Sequence, residues 1–347
     1  MTRKTDHIKI SLEEDIEIGS NGFGDIHLVH NALPELDFSN IDLSTTFLGK
    51  KLEYPIIIEA MTGGTEQAKK INKALAEVAE EMGIGIGVGS QRPAIEDDSV
   101  ADTFSVVKDA APNAFKIGNI GAVQFNYGVG VADCKKAVEM IDADALAIHL
   151  NALQEVIQPE GDTDFSDLLE KIEEASSKLK KPIIVKEVGC GISRAIGEKL
   201  MTAGVSCIDV GGYGGTSWGL IEGKRNAPKS REARLAETFS GWGIPTAISL
   251  LELRELDIPK IASGGIRDGI EAAKAIALGA DVVGMALPLL KALDIGGKKA
   301  VKQVLEEFIF ELKTAMFLVG ARDVRCLKEK SFKVTGMAAQ WLDQPDL

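Results

Sequence analysis

Positive charge is in short supply in this chain: 39 lysines and arginines stand against 52 aspartates and glutamates, a formal net charge of −13 over 347 residues. That balance excludes general binding to nucleic acid or to anionic membrane surfaces, both of which need a basic face. Any anionic ligand must be met by a local cluster of cations. Long apolar runs are missing as well. No segment reaches the roughly 20 residues needed to span a bilayer, and the opening stretch MTRKTDHIKISLEED carries no apolar signal core. Cysteine is scarce: Cys134, Cys190, Cys207 and Cys326 form no CxxC pair and lie in apolar or glycine-rich surroundings. That is the pattern of reduced thiols, not of a disulfide frame, and it gives them no catalytic role. These absences predict a soluble, cytoplasmic protein with no nucleic-acid partner and no membrane insertion.

What the chain has in abundance is one repeated unit. From Pro55 onward a short apolar, β-branched run leads into a glycine or polar cluster and then into a segment with helical spacing. Eight such runs occur: PIIIEAMTGG from Pro55, IGIGVGSQR from Ile84, AFKIGNIGA from Ala114, ALAIHLNALQE from Ala145, PIIVKEVGCG from Pro182, CIDVGGYGGTSW from Cys207, PKIASGGIRDG from Pro259 and DVVGMALP from Asp281. Continuous apolar strands alternating with helices belong to parallel sheets covered on both faces and joined by right-handed βα units. The helices are legible too: EQAKKINKALAEVAEEMG ends at Gly83, a C-cap, and DGIEAAKAIALGA starts at Asp268, an N-cap.

Eight such units in about 250 residues are the size of a TIM barrel. The expected fold is therefore α/β, a TIM (β/α)8 barrel over residues 55–320 with an N-terminal extension, residues 1–54, that covers the active site. An open doubly wound sheet is the competing topology. Residues 219–245 form an insertion between units six and seven whose length suits a lid, and residues 321–347 form a C-terminal tail.

In a TIM barrel the chemistry collects at the C-terminal ends of the strands. Nearly every run here ends in a polar or glycine cluster: Met61 to Gly64, Ser90-Gln91-Arg92, Asn119, His149 to Glu155, Lys186-Glu187, Gly211 to Trp218, Gly264 to Arg267, and Ala286-Leu287. Within HLNALQE, residues 149–155, the side chains of His149, Asn151, Gln154 and Glu155 are costly to bury unpaired, so they belong at a shared mouth. ASGGIRDG, a helix and then GADVVGMALP make the pattern of the barrel phosphate site, in which glycine-turn N–H groups and a helix N-terminus hold a phosphate dianion. With Gly214-Gly215-Thr216 and Lys186 at strand ends, the pattern resembles the FMN-binding half of flavin-dependent barrels. There a lysine lies near N1 and O2 of the ring and favours the anionic reduced form. A structural pairing of Lys186 with Glu187 is the other reading.

RKTDHI from Arg3, LVHNALPELDF from Leu28, FLGKKLEYPIIIEAMTGG from Phe47, GSQR from Gly89, HLNALQE, and GGTSWGLIEGKR from Gly214 follow one another in order. Together they resemble the type 2, FMN-dependent isopentenyl diphosphate isomerases over nearly the whole chain. The resemblance implies an enzyme of isoprenoid biosynthesis that interconverts isopentenyl and dimethylallyl diphosphate by redox-neutral allylic proton transfer. It implies reduced FMN and Mg²⁺, NADPH as flavin reductant, and a homotetramer or homo-octamer.

The resemblance also implies residue roles. Arg3 and Lys4 would close over the diphosphate, and His7, Ser90, Gln91, Arg92, His149, Asn151 and Gln154 would complete the substrate site. FMN would be held by Met61, Thr62, Gly63, Ser90, Asn119 and Lys186 on one side, and by Thr216, Gly264, Gly265, Arg267, Ala286 and Leu287 on the other. Glu155 would bind Mg²⁺, and His149, Gln154, Lys186, Trp218 and Glu222 would be catalytic, Glu222 as a proton relay.

The chemistry of these side chains permits such roles. Arginine and lysine hold diphosphates by charge-assisted contacts, Mg²⁺ takes few direct carboxylates, and an indole wall stabilises a cation and excludes water. Blander readings stand beside them: His149 as a satisfied core histidine, Trp218 as packing, Lys224-Arg225 as solvated charges. A 2-hydroxy acid oxidase or dehydrogenase on the same barrel would need a His-Gly-x-Arg context near strand six, where this chain has GGYGGTSW and only four histidines in all. A non-catalytic flavin redox sensor is the third reading.

Overall fold

All eight apolar runs become parallel strands, and the strands close on themselves. In the computed structural model, which describes residues 3–344, they are β1 (Ile56–Ile58), β2 (Gly85–Gly87), β3 (Phe115–Gly121), β4 (Ala145–Leu150), β5 (Ile183–Glu187), β6 (Cys207–Asp209), β7 (Lys260–Ala262) and β8 (Val282–Met285). Each pairs with the next in the chain, and β8 pairs back to β1 through Val283 with Ile56 and Met285 with Ile58. That last pairing makes the sheet a closed barrel and rules out the open, doubly wound arrangement. Of the predicted extension and tail, residues 1–2 and 345–347 lie outside the described residues.

Side chains alternate across a strand, so residues two apart share the barrel interior. One interior layer is apolar: Ile57, Ile117, Ala147, Ile184, Cys207, Ile261 and Val282 pack together. Two residues further along each of these strands come Glu59, Asn119, His149, Lys186, Asp209, Ser263 and Gly284. The barrel thus changes from dry to polar within one step of the pleat. Cys207 belongs to the dry layer, fully buried, and burial pushes its thiol well above the usual range, as expected of a structural cysteine.

The extension reaches both ends of the barrel. Its first helix, Arg3–Glu13, lies at the mouth against the helices Trp218–Arg225 and Leu287–Leu318. Further on, an antiparallel hairpin of Thr45–Phe47 with Lys50–Leu52 plugs the opposite end. Phe47 and Leu52 enter the dry layer, the Phe47 ring meets Phe115 edge-on at 5.3 Å between centroids, and Lys50 donates to Ala114 O and Asp144 just before β3 and β4. Between the two, Ile26–Leu28 pairs antiparallel with Phe332–Val334, so the tail is tied to the extension.

The insertion folds as two helices, Trp218–Arg225 and Arg231–Thr238, with Ser217 and Ser230 as side-chain N-caps. The first of them packs between the N-terminal helix and the short helix Ala152–Ile157 and forms a wall of the mouth. The helix after β8, Leu287–Leu318, bends where Gly296 and Gly297 leave helical geometry. Among the described residues no helix is long and apolar enough to cross a membrane.

Phe47 is 2% exposed and contributes the largest apolar surface of the plug. Replacing it with alanine leaves a cavity inside the barrel, and a loss of about 3–5 kcal/mol in unfolding free energy is expected from urea denaturation. A loss below about 1 kcal/mol would show that the hairpin is not part of the core.

Candidate active site

The polar layer opens into one cleft at the C-terminal ends of the strands, and most of the predicted residues meet there. Arg3, Lys4 and His7 reach it from the N-terminal helix, Met61 and Ser90 and Arg92 from the loops after β1 and β2, and Asn119 and His149 from β3 and β4. Asn151, Gln154 and Glu155 follow on the short helix after β4. Lys186, Thr216, Trp218, Gly264, Gly265, Arg267, Ala286 and Leu287 complete the lining.

At one pole the cleft is cationic. Arg92 is held by Glu96 and by Asp162, each at 2.7 Å. Desolvation and the neighbouring Arg3 charge bring the Lys4 ammonium down to about 8 against the pull of Glu222 and Glu155. His149 is neutral: burial, then the charges of Lys186 and Lys4, lower its pKa to about 3. Its Nδ1 lies 2.7 Å from Asn119 Oδ1, so in the neutral ring Nδ1–H donates. The ring also has a hydrogen bond with the Ile120 backbone, and it lines the cleft at the end of β4.

Glu155 sits beside this pole, 8% exposed. Its Oε1 accepts from Asn151 Nδ2 at 2.8 Å and its Oε2 from the Asp162 N–H at 2.9 Å, while burial raises its pKa. Asn151 Oδ1 is buried with no hydrogen-bond partner among the described residues. No cluster of three or more His, Cys, Asp or Glu that could hold a metal occurs among them. One carboxylate and an unpaired amide oxygen are too few for an all-protein cage, but they fit a Mg²⁺ ion that keeps water and phosphate oxygens as its other ligands.

Behind Gln154 lies a fixed anion. Glu222 is fully buried; its Oε1 accepts from Gln154 Nε2 at 3.0 Å and lies 2.9 Å from His7 Nε2, and its Oε2 accepts from Arg225. Burial alone would raise its pKa, but His7, Gln154 and Arg225 outweigh that and bring it to about 2. Glu222 does not line the cleft, so it acts on the site through Gln154 and His7. The His7 ring in turn meets Trp218 edge-on at 5.3 Å, which ties the indole wall to the same network.

Opposite the cationic pole, the loops after β6 and β7 press backbone against backbone. Gly264 and Gly265 have positive φ, and a Cβ on either would lie 2.2 Å from the carbonyl oxygen of Gly212 or Gly214. Only glycine allows that approach. The resulting turn, the start of the helix at Leu287 and Arg267 give the donor set of a phosphate cradle, and Arg267 is itself steadied by Glu17. This cradle and the lysine one strand away fit FMN.

Lys186 stands at the cleft floor and is paired, though not with Glu187. Its ammonium lies 3.1 Å from Asp209 Oδ2 and 3.6 Å from Glu59 Oε2, and it donates to the Glu187 carbonyl oxygen at 3.1 Å. Burial would depress its pKa, but Asp209 and Glu59 more than offset this and hold it above the usual lysine value. The Glu187 carboxylate turns into its own loop and accepts the N–H groups of Val188, Gly189 and Cys190.

Besides Glu222, three expected residues fall elsewhere. Gln91 is fully buried behind the cleft, where its Oε1 accepts from the Asn119 N–H and its Nε2 donates to Ala137 O, so it holds β3 and cannot reach a substrate. Gly63 is off the lining, and a Cβ there would lie 1.9 Å from the Phe104 ring, so only glycine fits beside it. Thr62 lines a smaller apolar hollow next to the cleft with Met61, Trp218 and Leu290. Conversely, Glu59, Gln124, Gln158, Glu187, Ser263 and Gly284 line the cleft without having been singled out as site residues. For Glu59, Ser263 and Gly284 a signal was present, since each stands two residues beyond an apolar inward residue of its strand.

A family profile described as FMN-dependent dehydrogenase matches residues 11–116 and 149–334. Among solved structures, a mandelate oxidase aligns over 96% of this chain and 98% of its own with a TM-score of 0.64 at 16% identity. A lactate oxidase of Pediococcus acidilactici aligns over 91% and 86% with a TM-score of 0.65 at 17% identity. At such identities the likeness is one of fold. Much nearer in sequence are the isopentenyl-diphosphate delta-isomerases of Methanoregula boonei, 49% identical over 99% of this chain and 96% of the relative, and of Archaeoglobus fulgidus, 50% identical over 98% of each. That of Pyrococcus furiosus is 49% identical over 99% of this chain and 89% of its own. Full-length identity at this level, on a barrel whose flavin cradle is in place, means that the chain belongs to the FMN-dependent, type 2 isopentenyl-diphosphate delta-isomerases.

Proposed function

We propose that this chain interconverts isopentenyl and dimethylallyl diphosphate without net redox change, using reduced FMN and Mg²⁺. One observation carries the reading: a single cleft joins a cationic pole containing one buried carboxylate, Glu155, to a glycine cradle with a paired lysine, Lys186. The first pole suits a metal-bound diphosphate and the second suits a flavin. No histidine lies between Gly211 and Trp218 at the end of β6, where 2-hydroxy acid oxidation would need its base.

Arg3, Lys4 and Arg92 hold diphosphate oxygens through charge-assisted contacts, and His149 Nε2 takes a further one. An anion there favours the protonated ring, in which both nitrogens donate: Nδ1 to Asn119 Oδ1 and Nε2 to the phosphate. Glu155, with the Asn151 amide oxygen, holds Mg²⁺ against the same diphosphate. Gln154, fixed by Glu222, orients the alkene end, and Trp218 with His7 excludes water and faces its positive charge to an indole. When bound, reduced FMN supplies an electron-rich ring beside the alkene and an exchangeable proton. NADPH serves as a priming reductant and is not consumed with each turnover. The protein works in the cytoplasm as a homo-oligomer, a tetramer or octamer.

Incubating the reduced holoprotein with isopentenyl diphosphate and Mg²⁺ should accumulate dimethylallyl diphosphate with no stoichiometric loss of NADPH. Absence of product despite bound reduced flavin would overturn the proposal and leave the redox-sensor reading. Glu155→Gln should retain flavin absorbance and lose Mg²⁺-dependent turnover by on the order of a hundredfold; full activity would remove Glu155 from the metal site. His149→Ala should raise the KM for substrate about tenfold or more with little change in bound flavin, the cost of one hydrogen bond to a charged group. An unchanged KM would return His149 to a structural role.

A further inference from the structure

The charges under the cleft floor do not balance. Lys186 is the single cation between two buried carboxylates, Asp209 from the neighbouring strand β6 and Glu59, which reaches across the barrel from the end of β1. Ionised together, the three carry one net negative charge in a layer sealed from below by Ile57, Ile184 and Cys207. The two carboxylates are not equivalent. Asp209 Oδ1 accepts from Ser263 Oγ at 2.5 Å and from the Gly211 N–H at 3.3 Å, donors that suit an anion. Glu59 has the ammonium at 3.6 Å and the Ala60 N–H, and its Oε1 has no hydrogen-bond partner among the described residues. Space for that oxygen exists because residue 284 is glycine, where a Cβ would lie 2.3 Å from it.

Building on the flavin reading above, we propose that Glu59 is a positioning residue linked to the redox state of the flavin: a carboxylate under the oxidised ring and a neutral acid under the reduced one. Lys186 is the group aimed at the ring, and Glu59 and Asp209 set how much of its charge is left uncompensated. Reduction to the anionic flavin adds a negative charge above this layer, and like charges in a poorly solvated site cannot all persist. The carboxylate with the fewest donors takes the proton. The balance is FMN plus two electrons plus one proton to the anionic reduced form, and the Glu59 carboxylate plus one proton to the acid. In total, two electrons arrive from an external donor and two protons from solvent.

The surroundings agree. Burial, then the Asp209 charge, push the Glu59 carboxyl up to about 7 against the pull of Lys186, so it is poised near neutrality before any flavin charge is added. Of the other groups facing the layer, the Cys207 thiol stays neutral and His149, in register with Lys186, is held neutral at about 3. Burial pushes the Glu187 carboxyl up to about 7 as well, but it accepts three N–H groups of its own loop, whereas Glu59 has one, so Glu59 is the carboxylate with the fewest donors.

The test is an electrochemical titration of the FMN-loaded holoenzyme at a series of pH values, with a mediator as the electron donor. The slope of midpoint potential against pH counts protons per two electrons. For the native protein the slope should correspond to two protons in a window opening near pH 7 and closing at higher pH, and to one proton outside it. Glu59→Gln should hold at one throughout, and Asp209→Asn should keep the window but move it to lower pH. A one-proton slope throughout in the native protein overturns the proposal. So does a two-proton window that survives in Glu59→Gln, which would place the proton on the ring, on Glu187 or on His149. Should Glu59→Gln fail to fold, the native slope and the Asp209→Asn displacement decide. Failure of the chain to take up FMN at all, seen in its absorbance, would instead defeat the functional reading.

Discussion

The constraint on which the rest depends is the burial of the Lys186 ammonium inside a closed barrel. A buried cation without a counter-ion costs several kcal/mol or loses its proton. Here it is retained because Asp209 stands in register beside it and Glu59 approaches from the opposite wall. That arrangement exists only because eight strands close. In an open sheet, residues on the first and fifth strands would not share an interior. Closure in turn requires the far end to be sealed, which the Phe47 hairpin does, and the sealed end keeps water from shunting the charges of the layer above.

A second consequence of closure is that the two halves of the site face each other without touching. The glycine cradle lies after β6 to β8, and the side chains proposed to take the diphosphate and its metal lie after β2 and β4 and on the N-terminal helix. In the proposed reading, a flavin over the lysine and a diphosphate at Arg3, Lys4, Arg92 and His149 share this one cleft, which Trp218 also lines. Burying Glu222 under Gln154 and His7 fits this plan. A strongly ionised carboxylate, compensated by Arg225, stiffens two uncharged side chains that face the reacting end.

The comparison with flavin oxidases locates the specificity. A mandelate oxidase has the same fold at 16% identity, so the barrel does not choose the reaction. The choice lies in what the strand ends present beside the flavin. In this chain the segment after β6 presents glycines, Thr216 and Trp218 in place of a base and a carboxylate-binding arginine. The N-terminal helix and HLNALQE add cations, amides and one acid, which suit a charged diphosphate end held still while the uncharged hydrocarbon end reacts.

The repeated apolar runs determined the strands, their number and their parallel order, because a strand buried on both faces must be continuously apolar and each run was followed by a helix. They also determined the mouth, since polar side chains such as His149 and Glu155 at the ends of such strands have nowhere else to go. Whether the sheet closed was decided by one pairing, β8 with β1, which joins residues more than two hundred positions apart and leaves no local trace. The same holds for the site. Glu59 sits in a strand tail that reads as a terminus, and its role arises from Lys186 across the barrel and from the missing side chain at Gly284. Gln91 shows the reverse, lying in a motif of the right family yet turned by the backbone into hydrogen bonding behind the cleft. Local sequence sets which residues stand at a strand end; the side of the barrel wall each one faces, and the charge it meets there, follow from contacts between strands distant along the chain.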